Sequence, residues 1–276
     1  MGSPLGDFLR ARRDAARPEA FGLPSGSRRR APGLRRAELA TLAGISVEYL
    51  VRIEQGRDRN PSVAVVNALA ETLRLDVAER EHLRHLTKIT AGECVGDPPQ
   101  PRSDLRPTVR RLLDQLEPGL AYLTNRLGDV LAATEAFTLV TRPSGLWEGE
   151  PPNLTRFVFT DPRARQVFPD WDAVADERAF DLWRGPSGHR SEAFRAELAP
   201  VAGGEFTRRF ERHELPTRTV LHWRHPDAEL RFHREELELP AGDAQQLVVL
   251  LPADDATEQA VQVLRLAAAR PLRAVT

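Results

Sequence analysis

At 276 residues with 41% apolar side chains, the chain is long enough for two domains with ordinary buried cores. Its formal net charge is −1, but residues 1–90 carry 16 Lys+Arg against 11 Asp+Glu and the remainder is net −6, a basic head on an acidic body. A lone cysteine, Cys94, excludes an intramolecular disulfide and a cysteine-rich zinc site, and no apolar run approaches the ~18 residues of a membrane span, so a soluble cytoplasmic protein without signal peptide is expected.

The first expected element is a helix over Leu5–Arg17, with Leu5, Phe8 and Leu9 at helical offsets and Pro18 limiting it. Phe21 to Gly33 holds Pro24, Gly26, Pro32 and Gly33 and reads as a loop. Its triplet Arg28, Arg29 and Arg30 is either a solvated run or a set of phosphate contacts. Two short helices follow. Leu39, Ala40 and Ala43 share one face of the first; Val47, Leu50, Val51 and Ile53 recur through the second. Between them, Gly44 can take the positive φ that ends a helix, and Ser46 can accept a backbone N–H as the next N-cap. That is a helix-turn-helix unit. Ser46, Val47, Glu48 and Arg52 lie at or near the N-terminal half of the second helix, where a recognition helix meets base edges. Ser62–Leu73 and Val77–Lys88 supply two more amphipathic helices, five in all over residues 1–90.

Residues 91–107 contain Gly92, Gly96, Pro98, Pro99, Pro101 and Pro107 and read as a semi-rigid linker. The second domain, 108–276, opens with a helix over Thr108–Leu116. Strands Leu120–Leu123 and Asp129–Ala132 flank an Asn125–Gly128 turn, with a helix near Thr134–Val140. Leu154–Phe159 is an apolar run, and Asp161-Pro-Arg-Ala-Arg opens a helix toward Phe168. Helices are expected over Trp171–Trp183, Glu192–Leu198 and Glu205–Glu211. Strands follow over Thr219–His225, Glu229–Glu238 and Gln245–Leu251, and a terminal helix over Thr257–Ala269. Helices set between early and late antiparallel strands imply an α+β body, a curved sheet with helices on one face.

Arg36-Ala-Glu38-Leu39-Ala40 through Gly44 to Ile53-Glu54-Gln55-Gly56-Arg57 resembles the lambda-repressor/Cro-like (XRE) helix-turn-helix family, without a gap. The preceding Arg28–Arg36 stretch resembles a narrower branch, the MmyB-like regulators of actinobacteria. So do Leu112–Tyr122, Phe157-Val-Phe-Thr-Asp-Pro-Arg-Ala-Arg165, Phe168–Trp171, Phe206–His213 and Arg224-His-Pro226. The resemblance implies an all-α lambda-repressor-like helix-turn-helix domain followed by an α+β PAS-like ligand-binding and dimerisation domain. One departure is Ala133-Thr134, where the family usually shows an aromatic–Asn pair.

By this resemblance Ser46, Val47, Glu48 and Arg52 face the major groove. Arginine fits guanine O6/N7, valine a thymine methyl, and glutamate can accept from cytosine N4. Arg35, Arg36, Arg57 and Arg59, with Arg28, Arg29 and Arg30, are the implied backbone contacts. Arg13 and Glu54 match a structural ion pair of such heads. The implied partners are a palindromic double-stranded DNA operator, a second copy of the chain and a small hydrophobic, fatty-acid-like ligand. Tyr122, Phe137, Phe157, Phe159, Phe168, Trp171, Trp183, Phe206, Phe210 and Trp223 are core residues or the lining of an apolar ligand site.

No cofactor is implied. Around His82/His85 the sequence shows no evident carboxylate or cysteine to complete a metal-ligand set, and His222/His225 fall on opposite strand faces, so no metal is expected. No nucleophile–base constellation stands out, which argues against an enzyme. The competing reading is an antitoxin-like, partner-binding regulator without a small-molecule ligand.

Overall fold

The computed structural model describes residues 3–23, 33–91, 105–184, 189–213, 216, 220–239 and 245–268. The chain divides into two compact units, residues 1–97 with 211–215 and residues 98–210 with 216–276. Most of the expected linker, 92–104, lies outside the described residues.

Among the described residues five α-helices build the first unit: α1 (Pro4–Ala15), α2 (Arg36–Leu42), α3 (Val47–Glu54), α4 (Val63–Thr72) and α5 (Val77–Ala91). Their starts are written in side-chain oxygens. Ser3 accepts from Gly6 N, Ser46 from Tyr49 N and Ser62 from Val65 N. Before α5, Asp76 and Glu79 bond each other's backbone N–H reciprocally, at 2.9 and 2.8 Å. Leu5, Phe8, Leu9, Leu34, Leu39, Leu50, Ile53, Leu69, Leu83 and Leu86 fill the core. α1 and α3 approach so closely that a Cβ on Gly6 would sit 2.4 Å from the Glu54 carbonyl oxygen. Only glycine fits there.

A histidine pair is sealed in this unit. His213 is fully buried, 5.8 Å from the Phe8 ring and 5.9 Å from the His82 ring, with Arg12 donating to its carbonyl. Burial, then His82 and Arg12, push its pKa down from 6.5 to about 3. An unfolded histidine binds its proton near 6.5, so the unfolded state gains protons first as pH falls. Stability is then lost from about pH 6.5 downward, at up to ~1.4 kcal/mol per pH unit. Denaturant midpoints measured at pH 7 and pH 5 should differ accordingly, and His213→Phe should flatten the difference. Equal midpoints in the unmodified protein would contradict this.

In the second unit, α6 (Pro107–Asp114) precedes β1 (Leu120–Asn125) and β2 (Val130–Ala133). Then come α7 (Glu135–Thr141), α8 (Leu154–Thr160), α9 (Ala164–Val167), α10 (Trp171–Arg184) and α11 (His189–Arg212). β3 (Leu221–His225), β4 (Ala228–Glu238), β5 (Gln245–Pro252) and α12 (Asp255–Ala268) complete it. The strands form one antiparallel sheet in the order β2-β1-β5-β4-β3. β5 is central, with Tyr122 and Glu236 both opposite Val248.

The period-2 alternation of strands sorts side chains to two faces. Leu120, Tyr122, Leu230, Phe232, Val248 and Leu250 point into the main core, against side chains from α7, α8, α10 and α12. Ala121, Leu123 and Leu247 form a second layer with Val109 and Leu113 of α6. The expectation of helices on one face is therefore corrected. β1 and β5 are apolar on both sides, so both need cover, and α6 supplies the second.

Leu154–Phe159 is helical, started by Asn153, whose side chain accepts from Arg156 N at 2.7 Å. The two helices expected over 192–211 are both present within α11, separated at Gly203, whose φ of 67° and ψ of −168° lie outside the helical region. Where the family pattern departs, Thr134 caps α7 by accepting from Phe137 N, and its hydroxyl also exchanges bonds with both backbone groups of Ala121.

Candidate nucleic-acid interface

The helix-turn-helix is held by four packed side chains and one buried carboxylate. Leu39 and Ala40 of α2 and Leu50 and Ile53 of α3 are buried, and Gly44 turns the chain between the helices at φ 67°. Glu54, at the end of α3, is fully buried. Its two oxygens accept from Arg13 Nε of α1 at 2.8 Å and from Arg36 Nε of α2 at 2.6 Å. Arg13 also donates to the Leu34 carbonyl, and Arg10 to the Glu54 carbonyl. One carboxylate thus fixes three helices relative to one another, which sets the pitch of α3.

With its inner face committed, α3 presents Val47, Glu48 and Arg52 to solvent, beside the exposed cap Ser46. Glu48 and Arg52, four apart, share one side of the helix, and Val47 lies next to Glu48 at its start. Arg52 is 58% exposed and lies 4.0 Å from Asp58, so its guanidinium is only loosely engaged. Arg35, Arg57 and Arg59 are exposed around the same unit. Arg28, Arg29 and Arg30 lie outside the described residues. Arg36 keeps an exposed side chain, but its Nε is committed to Glu54, so it acts in the scaffold as well as at the surface. The structure brings together Ser46, Val47, Glu48 and Arg52 on α3 and its cap.

Sequence reading missed Tyr49 and Asp58. Burial first, then Asp58, to which its hydroxyl bonds, raise the pKa of Tyr49. Arg57 N and Asp58 N both bond the Arg52 carbonyl, closing the turn that brings Asp58 back against Tyr49 of α3. The Arg-Asp-Arg turn carried the signal, but the loop geometry was not readable without the fold.

In the second unit the ten aromatic candidates divide between two clusters. Tyr122, Phe137, Phe157, Phe168, Trp171 and Trp223 are buried together against the sheet. Phe206 joins Leu127, Leu182, Phe194 and Leu198, with Phe210 beside it and Trp183 stacked on Phe210 at 4.2 Å. Phe159 packs against both clusters. The Asp-Pro-Arg-Ala-Arg run is a structural clasp. Arg163 makes two 2.7 Å bonds to Glu148 and others to Asp161, holding the Asp161 carboxyl below its usual range. Arg165 lies over the Trp171 ring at 3.6 Å.

Part of the main core is charged. Glu177, Arg178 and Asp181 of α10 are buried against Arg234 and Glu236 of β4. Arg178 holds Glu177 at 2.8 Å and Asp181 at 2.9 Å; Arg234 holds Glu177, and Glu236 at 3.0 Å. Among the described residues no group of His, Cys, Asp and Glu is arranged to hold a metal. No helix of the described residues is long and apolar enough to cross a membrane.

Comparison with known proteins agrees with this division. A helix-turn-helix domain model matches residues 4–83. The model of the MmyB-like transcription regulator ligand binding domain matches residues 105–264, more than half of the chain. Among curated proteins none matches this chain. A helix-turn-helix head joined to that ligand-binding domain is the build of a ligand-sensing transcription regulator, and the chain belongs to the MmyB-like transcription regulators.

Proposed function

We propose that this regulator binds a palindromic operator as a homodimer, with α3 in the major groove of each half-site, about one helical turn apart. The body takes a small hydrophobic ligand, the class to which fatty acids belong, and joins the two copies. Ligand shifts the placement of the heads and so the operator affinity. The observation that carries this reading is the outer face of α3: Val47, Glu48 and Arg52 stand exposed on a helix that Glu54 locks from behind.

Arg52 reads a base, while Arg35, Arg57 and Arg59 contact phosphate. Arg52→Ala should cost roughly 1–3 kcal/mol in operator affinity and relax selectivity at one base pair. Arg57→Ala should weaken all duplexes alike and lower the salt slope by about one. Fluorescence anisotropy on operator and scrambled duplexes across a salt series separates the two. Operator binding by Arg52→Ala equal to that of the unmodified protein would remove α3 from the groove.

A further inference from the structure

The loop after α3 reads Arg57-Asp58-Arg59, and its charges part ways. Both arginines are exposed, whereas the Asp58 side chain is only 18% exposed and faces α3. The turn dictates this. Arg57 N and Asp58 N bond the Arg52 carbonyl at 2.8 and 3.1 Å, and Asp58 Oδ1 accepts from Asn60 N at 3.1 Å. An aspartate accepting from the N–H two residues on makes an Asx turn, so the chain itself fixes the carboxylate. Its Oδ2 lies 4.0 Å from Arg52 Nη2, and the carboxylate also accepts from the Tyr49 hydroxyl.

Tyr49 and Arg52 are three apart on α3 and so are neighbours on its surface. One carboxylate thus stands beside the exposed side of the helix, held in place by its own turn and by Tyr49. At 4.0 Å it attracts the Arg52 guanidinium without closing a hydrogen bond, and the Arg52 side chain stays 58% exposed. None of the five N–H donors of that guanidinium is spent on Asp58. A long side chain confined before binding loses less rotamer freedom on binding. Asp58 is also an anion among the exposed Arg35, Arg57 and Arg59, and an anion opposes phosphate.

We infer that Asp58 is a positioning residue for Arg52 and a determinant of sequence specificity in the head. This rests on the groove reading of α3 above and deepens it. On a duplex that offers Arg52 a base edge, the guanidinium reaches the base with Asp58 behind it, and its charge offsets the carboxylate. On any other duplex Asp58 only repels, so it lowers non-specific affinity.

The test uses the full chain and the duplex it enriches from a randomised library, beside a scrambled duplex of the same composition. Binding of both is followed by anisotropy for the unmodified protein, Asp58→Asn, Arg52→Ala and the double variant. Asparagine keeps an oxygen for the Asn60 N–H and the Tyr49 hydroxyl and removes only the charge. Asp58→Asn should bind the scrambled duplex more tightly, steepen the salt dependence by up to about one, and lower the ratio of selected to scrambled affinity roughly fivefold. In the Arg52→Ala background the same change should leave that ratio unmoved, because Asp58 acts through Arg52. If folded Asp58→Asn keeps the unmodified ratio, or lowers it equally in both backgrounds, the inference fails and the groove reading stands. If the unmodified protein enriches no duplex, the groove reading fails and the inference with it. Should Asp58→Asn not fold, Asp58→Ser, whose hydroxyl can accept the Asn60 N–H, makes the same comparison.

Discussion

Glu54→Ala is expected to destabilise the first unit by about 3 kcal/mol, toward the low end of what a broken buried ion pair costs, and to abolish specific operator binding. The carboxylate is fully buried and bridges Arg13 and Arg36. Its removal strands Arg13, whose side chain is only 8% exposed. Asp14 remains 2.6 Å from that guanidinium, and Arg36 is 46% exposed and regains water, which is why the upper end is not reached. Glu54→Gln keeps one polar contact and should lose about half as much. Denaturant midpoints report stability, and anisotropy reports operator binding. An alanine variant within 0.5 kcal/mol of the unmodified protein would show that the bridge does not hold the head together.

Arg178→Met should cost about 3–5 kcal/mol in the second unit near pH 8, and less near pH 5. Arg178 is buried and is the closest cation to Asp181, at 2.9 Å. Burial already raises the Asp181 pKa, against the pull of Arg178. Without Arg178 it rises further, and in acid the carboxyl takes a proton, so the exposed penalty shrinks. A group whose folded pKa is raised stabilises below its unfolded pKa and loses that contribution as pH rises through the folded one. The variant should therefore be relatively more stable in acid. Thermal melts across pH 5–8 measure this. A loss independent of pH would mean that Asp181 does not titrate with the network.

The helix-turn-helix was legible because local chemistry and pattern agree there. Leu39, Ala40, Leu50 and Ile53 fall in helical register, Gly44 supplies the turn and Ser46 the cap. α8 was not, because Leu-Thr-Arg-Phe-Val-Phe is rich in β-branched and aromatic residues, and the deciding signal was a single cap, Asn153. The strands of the body were visible by composition, but their order was not: β1 pairs with β5 across more than a hundred residues. Sequence separation also hid the charged network. Glu177, Arg178 and Asp181 follow one another on one helix, but the partner Arg234 reaches Glu177 only through β4, more than fifty residues on. At the candidate interface, the α3 residues could be named from sequence. That Arg36 is tied to Glu54 depends on a side-chain contact between helices, which no spacing encodes.

The central claim is sequence-specific reading of a two-fold DNA site by α3. In vitro selection of a randomised duplex library on the full chain tests it most directly. The expected result is enrichment of an inverted repeat with half-site centres about one helical turn apart, with one position losing its preference when the selection is repeated on Arg52→Ala. A library that emerges unenriched, or one enriched identically for both proteins, would contradict the claim.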